Sequence, residues 1–154
     1  MCGICGYWSN SGDVQILENM TQSIKHRGPD SNGTFVDGEV GLGHARLSIL
    51  DLSEAGHQPM AARDGTTTIA FNGEVYNFQE ISRQLGMELR SHSDTEVVLE
   101  AYCKWGEQAF AKFDGMFGFA IWDAKAKQLT LARDRFGIKP VSYTHLTLPT
   151  TPYV

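Results

Sequence analysis

Short apolar runs bounded by glycine, proline or small polar residues alternate in this chain with segments whose apolar residues recur every three or four positions. The runs predict strands, and the longer spacing predicts helices. Strands are predicted over residues 4–8, 34–36, 40–45, 66–71, 115–122 and 129–132. Helices are predicted between Asp13 and Gly28, over 78–85 and over 95–105. Because several strands follow one another as hairpins, the pattern predicts an α+β fold of mainly antiparallel sheets with helices packed outside them.

Polar residues mark where several of these elements begin and end. Asp13 can cap the first helix, whose predicted apolar face is formed by Val14, Ile16, Leu17, Met20 and Ile24. Asp37-Gly38 predicts a hairpin turn between two strands. Asn72-Gly73 predicts a turn with positive φ that ends the strand over 66–71. Ser93 and Glu96 have the spacing of a capping box at the start of the last helix.

Composition narrows the class of protein. The chain has 154 residues, 42% hydrophobic and 20% charged, with a net charge of -5, which describes one mildly acidic globular domain. This balance gives no reason to expect nucleic acid or a membrane surface as a partner. No apolar run is long enough to span a bilayer and no secretory signal opens the sequence, so we expect a cytoplasmic protein. Three cysteines without an export signal predict free thiols.

Cys2 follows the initiator methionine directly, and its small side chain permits removal of Met1. The mature chain would then begin with a residue that carries a thiol and a free α-amine. Near neutrality that amine can accept the thiol proton, so the nucleophile would carry its own base. Cys2 and Cys5 also have the spacing of a zinc or redox pair, but no second close Cys or His pair follows, which leaves this a distant alternative. We expect no metal site, and Cys5 as a small core residue.

Five segments, the first of which contains Cys2, occur in a fixed order and give this residue a context. They are Cys2-Gly3-Ile4, His26 to Asp30, Gly43 to Ile49, Phe71 to Asn77 and Ser93 to Glu96. Together they resemble the glutaminase domain of glutamine-hydrolysing asparagine synthetases, class II glutamine amidotransferases with the N-terminal nucleophile hydrolase fold. The resemblance covers residues 2–140 and implies a four-layer αββα sandwich, incomplete at its C-terminus.

The resemblance also implies a role for each matching residue. Cys2 would be the nucleophile, and Asn72 and Gly73 would form the oxyanion site. Arg46 would bind the α-carboxylate of glutamine, and a guanidinium suits that bidentate task. Glu74 and Asp94 would receive the α-ammonium, although on local sequence Asp94 could equally be a helix cap. Backbone groups would line the same wall at Leu47, Ser48, Ile49 and Leu50. His26 and Arg27 would support the wall of the site.

The implied reaction is hydrolysis of glutamine to glutamate and ammonia through a thioester on Cys2. In the family, ammonia then passes to a covalently continuous synthetase domain that uses ATP and Mg to make asparagine. No cofactor is implied for residues 2–140 themselves. A related amidotransferase with another acceptor is the alternative, and the oligomeric state is open.

The resemblance ends after Pro140. Residues 141–154 resemble one translation frame of a sequencing adapter, so we predict a non-native tail there. The pyrophosphate-binding loop of the synthetase domain occurs nowhere in the 154 residues of the sequence. We therefore expect this fragment to lack synthetase activity and to show weak or absent glutaminase activity.

Overall fold

The computed structural model describes residues 2–10 and 12–140. In chain order the main elements are β1 (Gly3–Trp8), α1 (Val14–Ser23), β2 (Ser31–Asp37), β3 (Val40–Arg46), β4 (Met60–Ala61), β5 (Thr67–Val75), α2 (Phe78–Leu85), α3 (Asp94–Trp105), β6 (Gly115–Asp123) and β7 (Gln128–Arg133). Short 3-10 helices lie at Lys25–Arg27, Glu54–Gly56 and Gly106–Lys112. Met1 and the tail predicted at 141–154 lie outside the described residues, and the boundary at 140 stays a prediction.

The strands form two antiparallel sheets, one in the order β1-β3-β2 and one in the order β4-β5-β6-β7. The hairpin between β2 and β3 turns at Gly38, which has a φ of 57°, as Asp37-Gly38 predicted. Helix α1 packs on the first sheet, and α2 and α3 pack with the second. The predicted α+β fold with four αββα layers is therefore confirmed.

Two apolar clusters hold these layers together. The larger one joins β5 and β6 to α2 and α3 through residues such as Ile69, Val98 and Ile121, each 0% exposed. The smaller one lies between the sheets and joins Val40 and Leu42 of β3 to Ala70, Ala120 and Trp122. Because the sheets meet through few residues, space for a cleft remains beside this contact.

Helix α1 begins at the predicted cap, since the Asp13 carboxylate accepts a hydrogen bond of 2.9 Å from the Gln15 amide. Its predicted apolar face is only partly correct, because Val14 and Ile16 are each 49% exposed and Leu17 lies fully buried. The helix approaches β3 closely at Gly43, where a Cβ would collide with Thr21 Oγ1 and with Cys5 Sγ at 2.6 Å. This close contact seats α1 on a narrow stripe and leaves Val14 and Ile16 outside.

The predicted end of the strand that corresponds to β5 is wrong. β5 continues through Asn72 and Gly73 to Val75, and Gly73 pairs with Phe117 of β6 in an unbroken register. Gly73 does not have a positive φ, so no turn forms there. Pairing with β6 overrides the local preference of Asn-Gly for a turn. The glycine serves a different need, because a Cβ on Gly73 would lie 2.6 Å from Phe117 Cα.

Helix α3 starts one residue earlier than predicted, at Asp94. Ser93 is its cap, since Ser93 Oγ accepts a hydrogen bond from the Glu96 amide at 3.3 Å. The reciprocal half of a capping box is missing, because Glu96 instead accepts hydrogen bonds from the amides of Arg90 and Ser91. No helix within the described ranges is long and apolar enough to cross a membrane.

Candidate active site

A cleft opens where β1 begins, β3 ends and β5 runs toward α3. It is lined by every residue for which the sequence predicted a catalytic or substrate-binding role. These are Cys2, Arg46, Leu47, Ser48, Ile49, Leu50, Asn72, Gly73, Glu74 and Asp94. Their convergence from four separate segments brings a thiol, a guanidinium, two carboxylates and an amide to one place. His26 and Arg27, predicted to support the wall of the site, are not among the lining residues.

The Cys2 thiol lies against the residue that follows β3. The Leu47 amide donates to Cys2 Sγ at 3.4 Å, and Sγ lies 3.5 Å from the Leu47 carbonyl oxygen. From the other side, Arg27 Nε donates to the Cys2 carbonyl at 3.2 Å. The side chain and the backbone carbonyl of Cys2 are therefore both held in place.

Arg46 is 8% exposed, and its guanidinium is aimed by backbone carbonyls. Nη1 donates to the Ser53 carbonyl at 2.9 Å, and Nη2 donates to the Asp51 carbonyl. Gly56 makes room for this arrangement, since a Cβ there would collide with Nη2 of Arg46. The guanidinium has five N–H donors, so others stay available toward the cleft.

The loop that holds Arg46 is itself fixed by the Asp51 carboxylate. Asp51 accepts hydrogen bonds from Ser53 Oγ at 2.6 Å, from the Ser53 amide at 2.8 Å and from the His92 amide at 2.9 Å. The Ser53 hydroxyl and the two amides lower the pKa of Asp51 to about 2. Because the His92 amide precedes α3, Asp51 connects the Arg46 loop to the segment that carries Asp94.

Gly73 presents its amide to the cleft because of the hydrogen-bonding parity of β5. The Tyr76 amide donates to the Asp114 carbonyl, one step beyond the pair of Val75 with Gly115. Backbone groups of even-numbered residues therefore face β6, and those of residues 71, 73 and 75 face the opposite edge. β4 covers that edge only as far as Ile69.

Side chains occupy the amides on either side of Gly73. The Phe71 amide donates to Gln58 Oε1 at 2.7 Å, and the Val75 amide donates to Asp94 Oδ2 at 2.9 Å. His44 Nε2 lies 3.0 Å from the Phe71 carbonyl and must be the donor there, since a carbonyl only accepts. Among the edge amides at 71, 73 and 75, that of Gly73 is left facing the cleft.

Asp94 is a buried acid, since the residue is only 5% exposed. Burial raises the pKa of Asp94 to about 6, the amides of Val75 and Thr95 oppose the rise, and the nearby Glu74 carboxylate adds to it. A cation placed between Glu74 and Asp94 would restore the charged form. Because Ser93 caps α3, the interpretation of Asp94 as the helix cap is wrong; Asp94 is the first residue of the helix and an acidic part of the cleft wall.

The cleft also contains residues that the sequence analysis missed, among them Gln58, Thr95, Met116 and Lys139. Lys139 is 2% exposed, and burial lowers its pKa, with a further contribution from Arg27. Its backbone amide donates to Asp134 Oδ2 at 2.8 Å. The sequence signal available for Lys139 was that segment 133–140 follows the family pattern. Gln58 lies in a predicted loop that carried no such signal.

The proposed zinc or redox pair separates in space. Cys2 faces the cleft, whereas Cys5 Sγ lies 3.5 Å from Thr21 Oγ1 against α1, and burial raises the pKa of the Cys5 thiol. Within residues 2–10 and 12–140, no group of three or more His, Cys, Asp or Glu residues is placed to hold a metal ion.

Comparisons with known proteins agree with this geometry. Residues 1–151 match the family model described as a glutamine amidotransferase domain. The chain is 44% identical over 153 residues to asparagine synthetase [glutamine-hydrolyzing] 1 of Bacillus subtilis (strain 168), covering 94% of this chain and 24% of that protein. It is 40% identical over 163 residues to putative asparagine synthetase [glutamine-hydrolyzing] 2 of Methanocaldococcus jannaschii, covering 93% of this chain and 32% of that one.

A third relative, amidase chry2 of Gibberella zeae, is 38% identical over 161 residues, covering 94% of this chain and 24% of its own length. Among solved structures, the glutamine phosphoribosylpyrophosphate amidotransferase of Bacillus subtilis, complexed with ADP and GMP, superposes with a TM-score of 0.72 at 20% identity. That alignment covers 87% of this chain and 37% of the other, and it supports the fold alone. The chain spans about a quarter to a third of the curated relatives named above. By the match over nearly its whole length, the chain belongs to the glutamine amidotransferase domain family.

Proposed function

We propose that this chain hydrolyses glutamine to glutamate and ammonia, with the Cys2 thiol as nucleophile. The observation that carries the proposal is the convergence, in one cleft, of that thiol with an exposed strand amide at Gly73, a fixed guanidinium at Arg46 and a buried acid at Asp94. These groups match the side-chain amide, the α-carboxylate and the α-ammonium of glutamine.

Substrate recognition follows from charge. Arg46 binds the α-carboxylate in a bidentate manner, since backbone carbonyls already fix the plane of its guanidinium. Asp94 and Glu74 bind the α-ammonium, which favours the ionised form of the Asp94 carboxyl against its burial. Leu47, Ser48, Ile49 and Leu50 line the wall between these two ends. The side-chain amide is then directed toward Cys2.

The reaction begins with removal of Met1, which frees the α-amine of Cys2. The amine takes the thiol proton as sulfur attacks the amide carbon, and the negative oxygen binds to the Gly73 amide and the Asn72 side-chain amide. The amine returns the proton to nitrogen, the C–N bond breaks and ammonia leaves. Water then attacks the thioester, releasing glutamate and restoring the thiol.

Use of the ammonia belongs to the longer protein that the relatives suggest. We propose a covalently continuous synthetase domain that uses ATP and Mg to transfer ammonia to aspartate, supported by relatives named asparagine synthetase. Two fungal relatives named amidases, at 38% and 36% identity, favour a different acceptor as the second candidate. All three cysteines are free thiols, which supports our proposal that the protein works in the cytoplasm.

Intact-mass analysis with a diazo-ketone analogue of glutamine tests the proposal directly. We expect a chain lacking Met1 that gains one adduct, mapped to Cys2, and protection by excess glutamine. Labelling reports the site even where turnover is as weak as the sequence analysis predicts. Cys2→Ala abolishes both labelling and glutamate release, whereas the matched change Cys103→Ala at an exposed cysteine leaves both intact. An adduct that persists in Cys2→Ala contradicts the assignment.

A further inference from the structure

The edge of β5 that carries Gly73 should continue the ladder with β4, and it does not. β4 pairs Met60 with Ile69, and the same register would next bring the backbone of Gln58 opposite Phe71. Pro59 lies between Gln58 and Met60 in the chain, at a position that would face Ala70, whose backbone groups are directed toward β6. The backbone leaves the sheet at this point, and the Gln58 side chain takes the Phe71 amide in its place at 2.7 Å.

Gln58 is oriented so that only one amide rotamer satisfies its partners. The Phe71 amide can only donate, so the nitrogen of the Gln58 side chain points the other way and donates to Thr95 Oγ1 at 3.2 Å. Thr95 follows Asp94 in α3, and Gln58 is 5% exposed. The side chain therefore bridges the strand that carries Gly73 and the helix that carries Asp94.

His44 holds Phe71 from the neighbouring sheet. It is 0% exposed, and its Nε2 donates to the Phe71 carbonyl at 3.0 Å. Both backbone groups of Phe71 are thus fixed by side chains, two residues before the Gly73 amide. At the other end the Val75 amide is fixed by Asp94.

We propose that Gln58 is a positioning residue, which aims the Gly73 amide at the developing oxyanion by taking the place of a ladder partner at Phe71. The inference rests on the proposed glutaminase function and deepens it. Without Gln58 the Phe71 end of this edge is held only through its carbonyl by His44, so the Gly73 amide is aimed less firmly although the donor itself remains. The effect belongs to the transition state and leaves glutamine binding to Arg46 and Asp94 unchanged.

The test replaces Gln58 by methionine, which has similar length but offers only a weak sulfur acceptor and no donor. We expect kcat for glutamate release to fall by about 10- to 100-fold, less than the about 100- to 1000-fold for removing an oxyanion donor. KM for glutamine should stay nearly constant. The matched control Gln108→Met, at an exposed position, should behave as the wild type. Thr95→Val, which removes only the anchor of Gln58, should cause a smaller loss.

Two further measurements separate positioning from collapse of the site. Alkylation of Cys2 by iodoacetamide needs no oxyanion donor, so its rate relative to the exposed Cys103 should not change in Gln58→Met. Hydrogen exchange at the Phe71 amide should accelerate while strand 115–123 keeps its protection. An unchanged kcat, unchanged exchange at Phe71, or a parallel loss of Cys2 alkylation would each overturn the inference. If the wild type shows neither Cys2-dependent glutamate release nor diazo-ketone labelling at Cys2, the proposed function fails instead, and the exchange result still decides whether Gln58 fixes Phe71.

Discussion

Asp94→Asn should stabilise the protein while removing its ability to bind glutamine. The pKa of Asp94 is raised from 3.8 to about 6, mainly by burial, so ionising this acid in the folded chain opposes folding. A rise of about two pKa units corresponds to about 3 kcal/mol at neutral pH, because each unit is worth about 1.4 kcal/mol. Asparagine keeps the acceptor for the Val75 amide and removes the charge.

The sign of the effect depends on pH. The folded protein binds a proton at Asp94 that the unfolded chain releases between about pH 4 and pH 6, so the contribution of Asp94 to stability is lost as pH rises through this window. We expect Asp94→Asn to be more stable than the wild type by about 1 to 3 kcal/mol at pH 7, and equal to it below pH 4.

Urea unfolding at pH 4, 5, 6 and 7 measures this difference, and diazo-ketone labelling of Cys2 measures the functional loss. Glu80→Gln, at an exposed acid of α2, is the matched control and should show no such pH dependence. A variant that is less stable at pH 7, or a difference independent of pH, would refute the assignment of Asp94 as a strained buried acid. Unimpaired labelling would refute its role toward the ammonium.

Three other results are expected. Gly56→Ala adds a methyl group against Nη2 of Arg46 and should raise KM for glutamine about tenfold, or about 1.4 kcal/mol, with little change in unfolding; an unchanged KM would show that Arg46 needs no such space. Burial lowers the pKa of His44 to about 4, so the contribution of His44 to stability should fall by about 3 kcal/mol as pH drops from about 6.5 to 4. The difference in unfolding free energy between the wild type and His44→Gln, measured in urea titrations across this range, isolates this contribution from the opposite one of Asp94. Asp51→Asn weakens the loop that holds Arg46 and should lower stability at pH 7. Because the pKa of Asp51 is lowered to about 2, this loss of stability should disappear as pH falls through that value, as thermal melts at several pH values would show.

Local sequence signals predicted the elements that depend on local interactions. Asp13 caps α1, and Asp37-Gly38 turns the hairpin, as expected from residues within a few positions of each. Asn72-Gly73 misled because its conformation is decided by β6, more than forty residues away in sequence at Phe117. Turn preference is weak compared with a complete ladder on one side.

The residues of the candidate site were identified through motifs, and their placement in one cleft follows from the fold. Gln58 could not be found in this way, because its importance arises from the register of β4 against β5. Lys139 could not be recognised as buried, because lysine is seldom enclosed and only the tertiary structure brings it beside Cys2. Long-range geometry, not composition, decides both.

The interrupted ladder at the β5 edge also bears on how the protein avoids unwanted association. A strand that shows a row of unpaired amides is a template for a strand of another chain. Here Gln58 and Asp94 occupy two of the three amides at positions 71, 73 and 75, so an approaching strand finds one donor and no ladder. The same two side chains that isolate Gly73 for a small ligand therefore keep this edge from recruiting a second copy of the chain.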